Sequence, residues 1–470
     1  MPARRRFARP FSVGLAASAV LSFAVGLPAA HAGSTAAATA ATSAPGHLTG
    51  TLPDGATWIA DVPPNWNGTL LLFSHGFGPT TAADAPSADT AAMLLAEGYA
   101  LAGSSYDPNG SWFAVDSGER DQFQTQSAFS RAAGRPARTI AVGLSMGGLI
   151  NSQIARDGAG RVDGALNLCG MVAGGVDLDN YQLDAEYTLA RLLLPAEQVP
   201  LVDFGTPDAA AATATRLTDA ITAAQATPQG RARIALAAAY LNLSDWAPGQ
   251  NPPAAGDAEA QEAGQYAWFT QGLLAFIEFG RYSVEQSAGG NTSWNVGVDY
   301  AALLNQSEHA PEVRALYQAA GLDLHADLAV LTAGAHQGAD PAAVARLTAT
   351  GTAGQGLAVP TLDVHTTSDN LIPVEQENAF ADRIRAAGDG SLLRQAYVAR
   401  QGHCNFTTAE IVAAVHAIDR RVSAGRWADV ATPAALEKAA LALGPDAGGA
   451  AYVPFRPSSL VVGRETWSGR

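Results

Sequence analysis

Short apolar runs punctuate this 470-residue chain, and several lead directly into stretches where apolar residues return every three or four positions. The runs Thr69–Ser74, Ala100–Gly103, Thr139–Val142, Gly164–Leu168, Thr361–Asp369 and Leu392–Ala399 have the length and composition of buried strands. Helical periods follow at Gly148–Ala155, Glu375–Ala387 and Thr408–Val422. Between Gly175 and about Ala358 the pattern changes to alanine-rich helical periods at Tyr187–Leu194, Ala210–Ala224, Ala232–Leu241, Trp268–Phe279 and Pro311–Ala319, interrupted by breakers such as Ala247-Pro248-Gly249-Gln250-Asn251-Pro252-Pro253. That stretch is too long for a loop, and it predicts a mainly helical insertion. Its Tyr266, Trp268, Phe269, Phe276 and Phe279 either line a pocket or pack the insertion's own core.

Chemistry collects where the predicted strands end. Gly143-Leu144-Ser145-Met146-Gly147 lies between a strand and a helix, the context in which G-x-S-x-G exposes a serine nucleophile on a sharp turn. The flanking glycines suit such a turn, because a β-carbon there would meet the neighbouring strand or helix. The run Thr69–Ser74 ends in His75-Gly76-Phe77-Gly78, a loop able to present the Phe77 N–H beside that of Met146 as an oxyanion hole. Asp369 closes the run that starts at Thr361, and His403 lies in Gln401-Gly402-His403-Cys404-Asn405-Phe406 ahead of a helix. Serine is a weak nucleophile, so a histidine must take its proton and return it to the leaving group, while a carboxylate fixes the useful imidazole tautomer. The rivals are placed differently: His75 shapes the oxyanion loop, His365 reads as a satisfied core histidine, and Asp363 sits in mid-strand rather than at the strand end where open parallel sheets carry their functional loops.

With Ser145, Asp369 and His403 in that chain order, the sequence resembles the α/β-hydrolase superfamily in its esterase/lipase-like branch. The resemblance implies an α/β fold, an α/β-hydrolase core with a mostly parallel sheet and an inserted, mainly helical cap. It implies Ser145 as nucleophile, His403 as base, Asp369 as triad acid and the amides of Phe77 and Met146 as oxyanion hole. The expected activity is that of a secreted serine hydrolase cleaving carboxylic esters through an acyl-enzyme, with a serine aminopeptidase or amidase of the same fold as the alternative. A serine at the elbow argues against epoxide hydrolases and dehalogenases, which place an aspartate there. No cofactor is expected, and neither a metal cluster of recognisable spacing nor a phosphate loop is seen. Expected domains are a signal peptide over 1–32, a flexible spacer over 33–45, core over 46–175 and 358–430, the cap over 176–357, and a C-terminal extension over 431–470 packing on the core.

Composition sets the surroundings. Arg4-Arg5-Arg6-Phe7-Ala8-Arg9, the apolar stretch from Phe11 to Leu27 and Ala30-His31-Ala32-Gly33 together read as an export signal cleaved after Ala32, and the arginines resemble a twin-arginine signal. Its removal takes the net charge from −15 to −19, with 24 basic against 43 acidic side chains. Such a surface repels nucleic acid and anionic lipid. The expected partner is a small ester or peptide substrate, with no nucleic acid, no stable membrane anchor and a monomeric state. Cys169 and Cys404 both fall near the chemistry. In an exported protein such a pair suggests a disulfide, similar to tannases and fungal feruloyl esterases, in which a bridge ties the catalytic loops; here no cysteine adjoins Ser145, and two free buried thiols are the alternative.

Overall fold

The computed structural model describes residues 46–464, so the expected signal peptide and spacer lie outside the described residues. The first half of the core runs β1 (Gly46–Thr51), β2 (Thr57–Val62), β3 (Thr69–Ser74), α1 (Ala88–Ala96), β4 (Ala100–Ser104), α2 (Gly118–Ala133), β5 (Arg138–Leu144), α3 (Met146–Asp157) and β6 (Gly164–Leu168). Helices then follow one another: α4 (Gly175–Leu193), α5 (Pro207–Ala224), α6 (Pro228–Leu241), α7 (Ala258–Trp268), α8 (Leu274–Ala288), α9 (Tyr300–Leu304), α10 (Ala310–Ala320), α11 (Leu324–Ala333) and α12 (Pro341–Thr350). The chain re-enters the sheet through β7 (Thr361–Ser368), α13 (Glu375–Ala386), β8 (Leu393–Gln401), α14 (Thr408–Ala424), α15 (Pro433–Leu441) and β9 (Tyr452–Val453).

The nine strands form one sheet in the order β1-β2-β4-β3-β5-β6-β7-β8-β9. Pairing is parallel from β4 to β8, and antiparallel where β1, β2 and β9 extend the edges. Because side chains alternate across a strand, each central strand feeds two cores. Ile140 and Val142 face the layer of α14, with Leu166, Val412 and Ile418, whereas Ala141 and Ala165 face α3, with Leu149 and Ile154. This double burial explains why these strands read as unbroken apolar runs. Tyr397–Val453 and Val398–Tyr452 pairing brings the C-terminal segment onto the sheet.

The helical stretch between β6 and β7 owes its breaks to local chemistry. Thr206, Thr227, Asp257, Asp299, Asp323 and Asp340 cap helix N-termini with their side chains, and Pro207, Pro228 and Pro341 occupy the first helical turn, where no N–H is missed. Helix α4 starts a dozen residues before the expected Tyr187. Its first three turns are rich in Asp, Asn and Gln, and tertiary burial overrides their weak helical signal. The charge so buried is countered: Arg281 of α8 lies 2.7 Å from Glu186 of α4 and 3.7 Å from both Asp179 and Glu278.

Candidate active site

Five of the parallel strands deliver a segment of the candidate site at their C-terminal ends, the edge where an open α/β sheet presents its loops. Ser145 sits between β5 and α3 with φ 59° and ψ −121°, a left-handed conformation uncommon for a side chain-bearing residue and costly unless its surroundings enforce it. They do so closely. A β-carbon on Gly147 would overlap the Ser74 carbonyl, and one on Gly143 would overlap the Gly147 carbonyl, which is why both elbow positions are glycine. Ser145 N–H donates to Leu168 O at 2.9 Å, and Ser145 O accepts from Gly148 and Met171.

The structure brings the three expected side chains together. Nε2 of His403 lies 2.7 Å from Ser145 Oγ, and its Nδ1 lies 2.7 Å from Asp369 Oδ2. Oδ1 of Asp369 accepts the N–H groups of Leu371 and Ile372, each at 2.9 Å, which fixes the rotation of the carboxylate. Burial alone would raise the Asp369 pKa, but the charges of His403 and His365 and their hydrogen bonds to the carboxylate hold it well below the ordinary carboxylate range. The loop carrying His403 is itself anchored. Gly402 N–H donates to Ser368 O, Thr366 donates to Gly402 O, and a Thr407/Glu410 capping box opens α14 with Glu410 also paired to Arg400.

The His75–Gly78 loop lies directly over the serine, since a β-carbon on Gly76 would sit 3.2 Å from Ser145 Cβ. Among the described residues the Phe77 N–H has no hydrogen-bond partner, and the Met146 N–H begins α3, where the helix supplies none. Two backbone donors are thus left free beside the hydroxyl, with the positive end of a helix dipole behind one of them. His75 stacks on Tyr106 with ring centroids 4.2 Å apart, Tyr106 donates to His75 O, and burial lowers the His75 pKa, all of which suits a structural part. In sequence the segment Ser104–Gly110 after the predicted strand Ala100–Gly103 reads equally as a border of the pocket or as a plain turn, and nothing there marks Tyr106 as the support of the oxyanion loop. Asp363 accepts from Asn167 at 2.7 Å, away from His403, and burial with the nearby Glu377 pushes its pKa well up.

A narrow cleft of about 40 Å³ opens beside Ser145, lined by Phe77, Phe113, Met171, Phe276, Ile277 and Gln182 among others. Phe276 and Phe279 of α8 meet Phe77 edge-on at 5.5 and 5.9 Å, whereas Trp268 and Phe269 are buried in the core. The aromatics of the insertion therefore divide between cleft and core. Gln182 is 4 % exposed, and among the described residues its carboxamide makes no hydrogen bond. Nothing in the sequence marks it, because a single glutamine in a polar helical stretch carries no signal.

Cys169 and Cys404 form a disulfide across 235 residues of sequence, with Cα atoms 5.3 Å apart, as the ends of β6 and of the β8 loop converge. Both cysteines have left-handed backbone, φ 45° and 54°. Among the described residues the only cluster of His, Cys, Asp and Glu donors close enough to share a metal ion is Cys169, His403 and Cys404, and its two sulfurs are already joined to each other. The bridge binds the His403 loop to the strand beside the elbow. Reduction is expected to lower the Tm by removing about 2–4 kcal/mol, and to reduce turnover even at temperatures where the protein stays folded. Thiol titration of the denatured, unreduced protein should find no free thiol, and two per chain would refute the bridge.

No family model matches the chain. An o-phthalyl amidase of Xanthobacter agilis is 32 % identical over 406 residues, covering 80 % of this chain and 87 % of that protein. Among solved structures, an esterase from Aspergillus oryzae aligns over 79 % of this chain and 77 % of its own with 14 % identity and a TM-score of 0.37. The acylaminoacyl peptidase of Pyrococcus horikoshii aligns over 76 % of this chain with 10 % identity and a TM-score of 0.33, and the chain spans only 37 % of that protein's length. By its kinship with the amidase and by a parallel sheet whose strand ends carry the serine elbow, this chain belongs to the α/β-hydrolase superfamily of serine hydrolases.

Proposed function

We propose that this serine hydrolase cleaves the carboxylic amide of an aromatic acyl group through an acyl-enzyme, and turns over the corresponding esters by the same route. The observation that carries the reading is the unbroken line of 2.7 Å contacts from Ser145 Oγ through His403 to Asp369. His403 Nε2 takes the hydroxyl proton as Ser145 Oγ attacks the acyl carbon, and the Phe77 and Met146 amides receive the oxyanion. The imidazolium then passes its proton to the leaving nitrogen, and water repeats the sequence on the acyl-enzyme.

Substrate class is supported by two features. The X. agilis relative bears the name of an o-phthalyl amidase, and the cleft beside Ser145 is walled by Phe77, Phe113 and Phe276, with Gln182 free to hydrogen-bond a ring substituent. Among the described residues no carboxylate lines that cleft to receive a substrate's amino terminus, which weighs against the aminopeptidase alternative. The helices between β6 and β7 contribute Leu178, Gln182, Phe276 and Ile277 to its wall, consistent with a cap over residues 176–357. Export is part of the proposal, supported by the disulfide. Among the described residues no helix is long and apolar enough to cross a membrane.

A side-by-side assay of the purified protein tests the reading. Benzoyl and phthalyl anilides and their p-nitrophenyl ester counterparts should show kcat/KM values at least roughly tenfold above those of long-chain esters and aminoacyl-nitroanilides. Preference for a long acyl chain would favour a lipase-like esterase, and preference for a free amino terminus would favour the peptidase.

A further inference from the structure

His365, which the sequence pattern places in a strand core, touches the triad acid. Its side chain is fully buried. Nε2 faces Ile372 O at 2.9 Å and Asp369 Oδ2 at 3.5 Å, while Nδ1 faces Glu377 Oε1 at 3.0 Å. Glu377 Oε2 is occupied by the Gln395 carboxamide, which donates at 2.7 Å. Both ring nitrogens of His365 therefore point at acceptors, and each needs its own proton to satisfy them. Asp369 Oδ2 in turn receives two imidazoles, His403 at 2.7 Å and His365 at 3.5 Å.

We propose that His365 is a positioning residue of the hydrolytic site: a buried imidazolium, locked between Glu377 and Asp369, that shares the triad carboxylate with His403 and so tempers the hold of that carboxylate on the proton His403 takes from Ser145. The inference rests on the triad reading above. Burial by itself would lower the His365 pKa, but the two carboxylates outweigh it and raise it to about 10. The charges nearly balance. Asp369 and Glu377 face one permanent cation, and the charge that His403 acquires during attack completes the neutralisation. Without His365 the carboxylate would bind that transient proton too tightly, and His403 would be protonated, hence inactive as a base, at higher pH.

The other titratable groups turned toward this network are Asp363 on β7, Tyr397 on β8, Tyr181 on α4 and Glu375 on α13. Burial and Glu377 push the Asp363 pKa well up, and burial raises both tyrosines further above neutrality. Burial and Glu308 push Glu375 up to about 7. Its titration would appear in parent and variant alike, so the readout is the difference between them.

The experiment compares kcat/KM against pH for the parent and His365→Gln, on whichever chromogenic substrate the parent cleaves. The acid limb of the variant should move to higher pH by roughly one unit, with kcat lowered and KM little changed. A reduced rate with an unmoved limb would mean that His365 only packs the core, and the proposal fails. Should His365→Gln not fold, ¹⁵N-histidine NMR of the intact protein reads the same claim directly, with the ring assigned through contacts to the Val364–Thr366 backbone. Both His365 nitrogens should stay protonated from pH 6 to 9, and a neutral tautomer in that window would overturn the proposal. Failure of the triad itself would show separately, as an active Ser145→Ala enzyme.

Discussion

Ser145→Ala is expected to lower turnover by about 10⁴–10⁶ while leaving the fold intact. Alanine keeps the β-carbon, so the positive φ of the elbow costs the same, and the backbone bond from residue 145 to Leu168 O is unaffected. What disappears is the hydroxyl 2.7 Å from His403 Nε2, and with it the covalent route. Any residual rate would come from the free amides and the binding cleft, which polarise a carbonyl without attacking it. The check is steady-state hydrolysis alongside a thermal melt, with intact mass after substrate mixing to look for the acyl adduct. Full activity in folded Ser145→Ala would refute the nucleophile assignment.

Asp369→Asn should cost about 10³–10⁴ in kcat, the scale on which other serine triads respond to the same change. The loop dictates the mechanism of the loss. An asparagine Oδ1 can still accept from Leu371 and Ile372, which turns the Nδ2 donor toward His403 Nδ1. The imidazole must then accept at Nδ1 and carry its proton on Nε2, the nitrogen that needs to be vacant to take the serine proton. Asp363→Asn is the matched control. Asp363 is hydrogen-bonded to Asn167 rather than to His403, so its amide replacement should retain activity within about a factor of ten. A pH–Tm series adds a second readout for Asp369. Since its folded pKa lies below the unfolded value of about 3.9, it contributes stability above that pH and loses it as the pH falls through the folded pKa. Asp369→Asn should therefore remove that part of the acid-side slope.

How much of this was legible in the chain differs from element to element. The strands Thr69–Ser74 and Gly164–Leu168 were readable to the residue, because burial on both faces makes each a mostly apolar run bounded by turn residues. The start of α4 was not, since Asp177, Asp179, Asn180, Gln182 and Asp184 read as polar surface yet are buried, with Asp179 facing Arg281 of α8, Asp177 facing Arg383 of α13 and Asp184 facing Arg464 of the C-terminal segment. Helices α11 and α12 were also missed, although Asp323 and Asp340 signal their N-caps. Both are apolar over much of their length but only ten residues long, and period alone did not mark them.

By itself the sequence determined the local chemistry: a glycine-flanked serine that only a sharp turn accommodates, a carboxylate at a strand end, a histidine ahead of a capped helix, and the chain order of the three. Each is encoded within a few residues, where steric and hydrogen-bonding rules act without knowledge of distant partners. Tertiary structure alone decided the rest. Whether Cys169 reaches Cys404 depends on the parallel registry that brings the ends of β6 and β8 together across 235 residues. Whether Phe276 lines the cleft or the core depends on how α8 crosses the elbow. Above all, the charge on His365 is set by Glu377 and Asp369, and its place at the triad follows from burial in a low-dielectric site where two carboxylates converge on one ring.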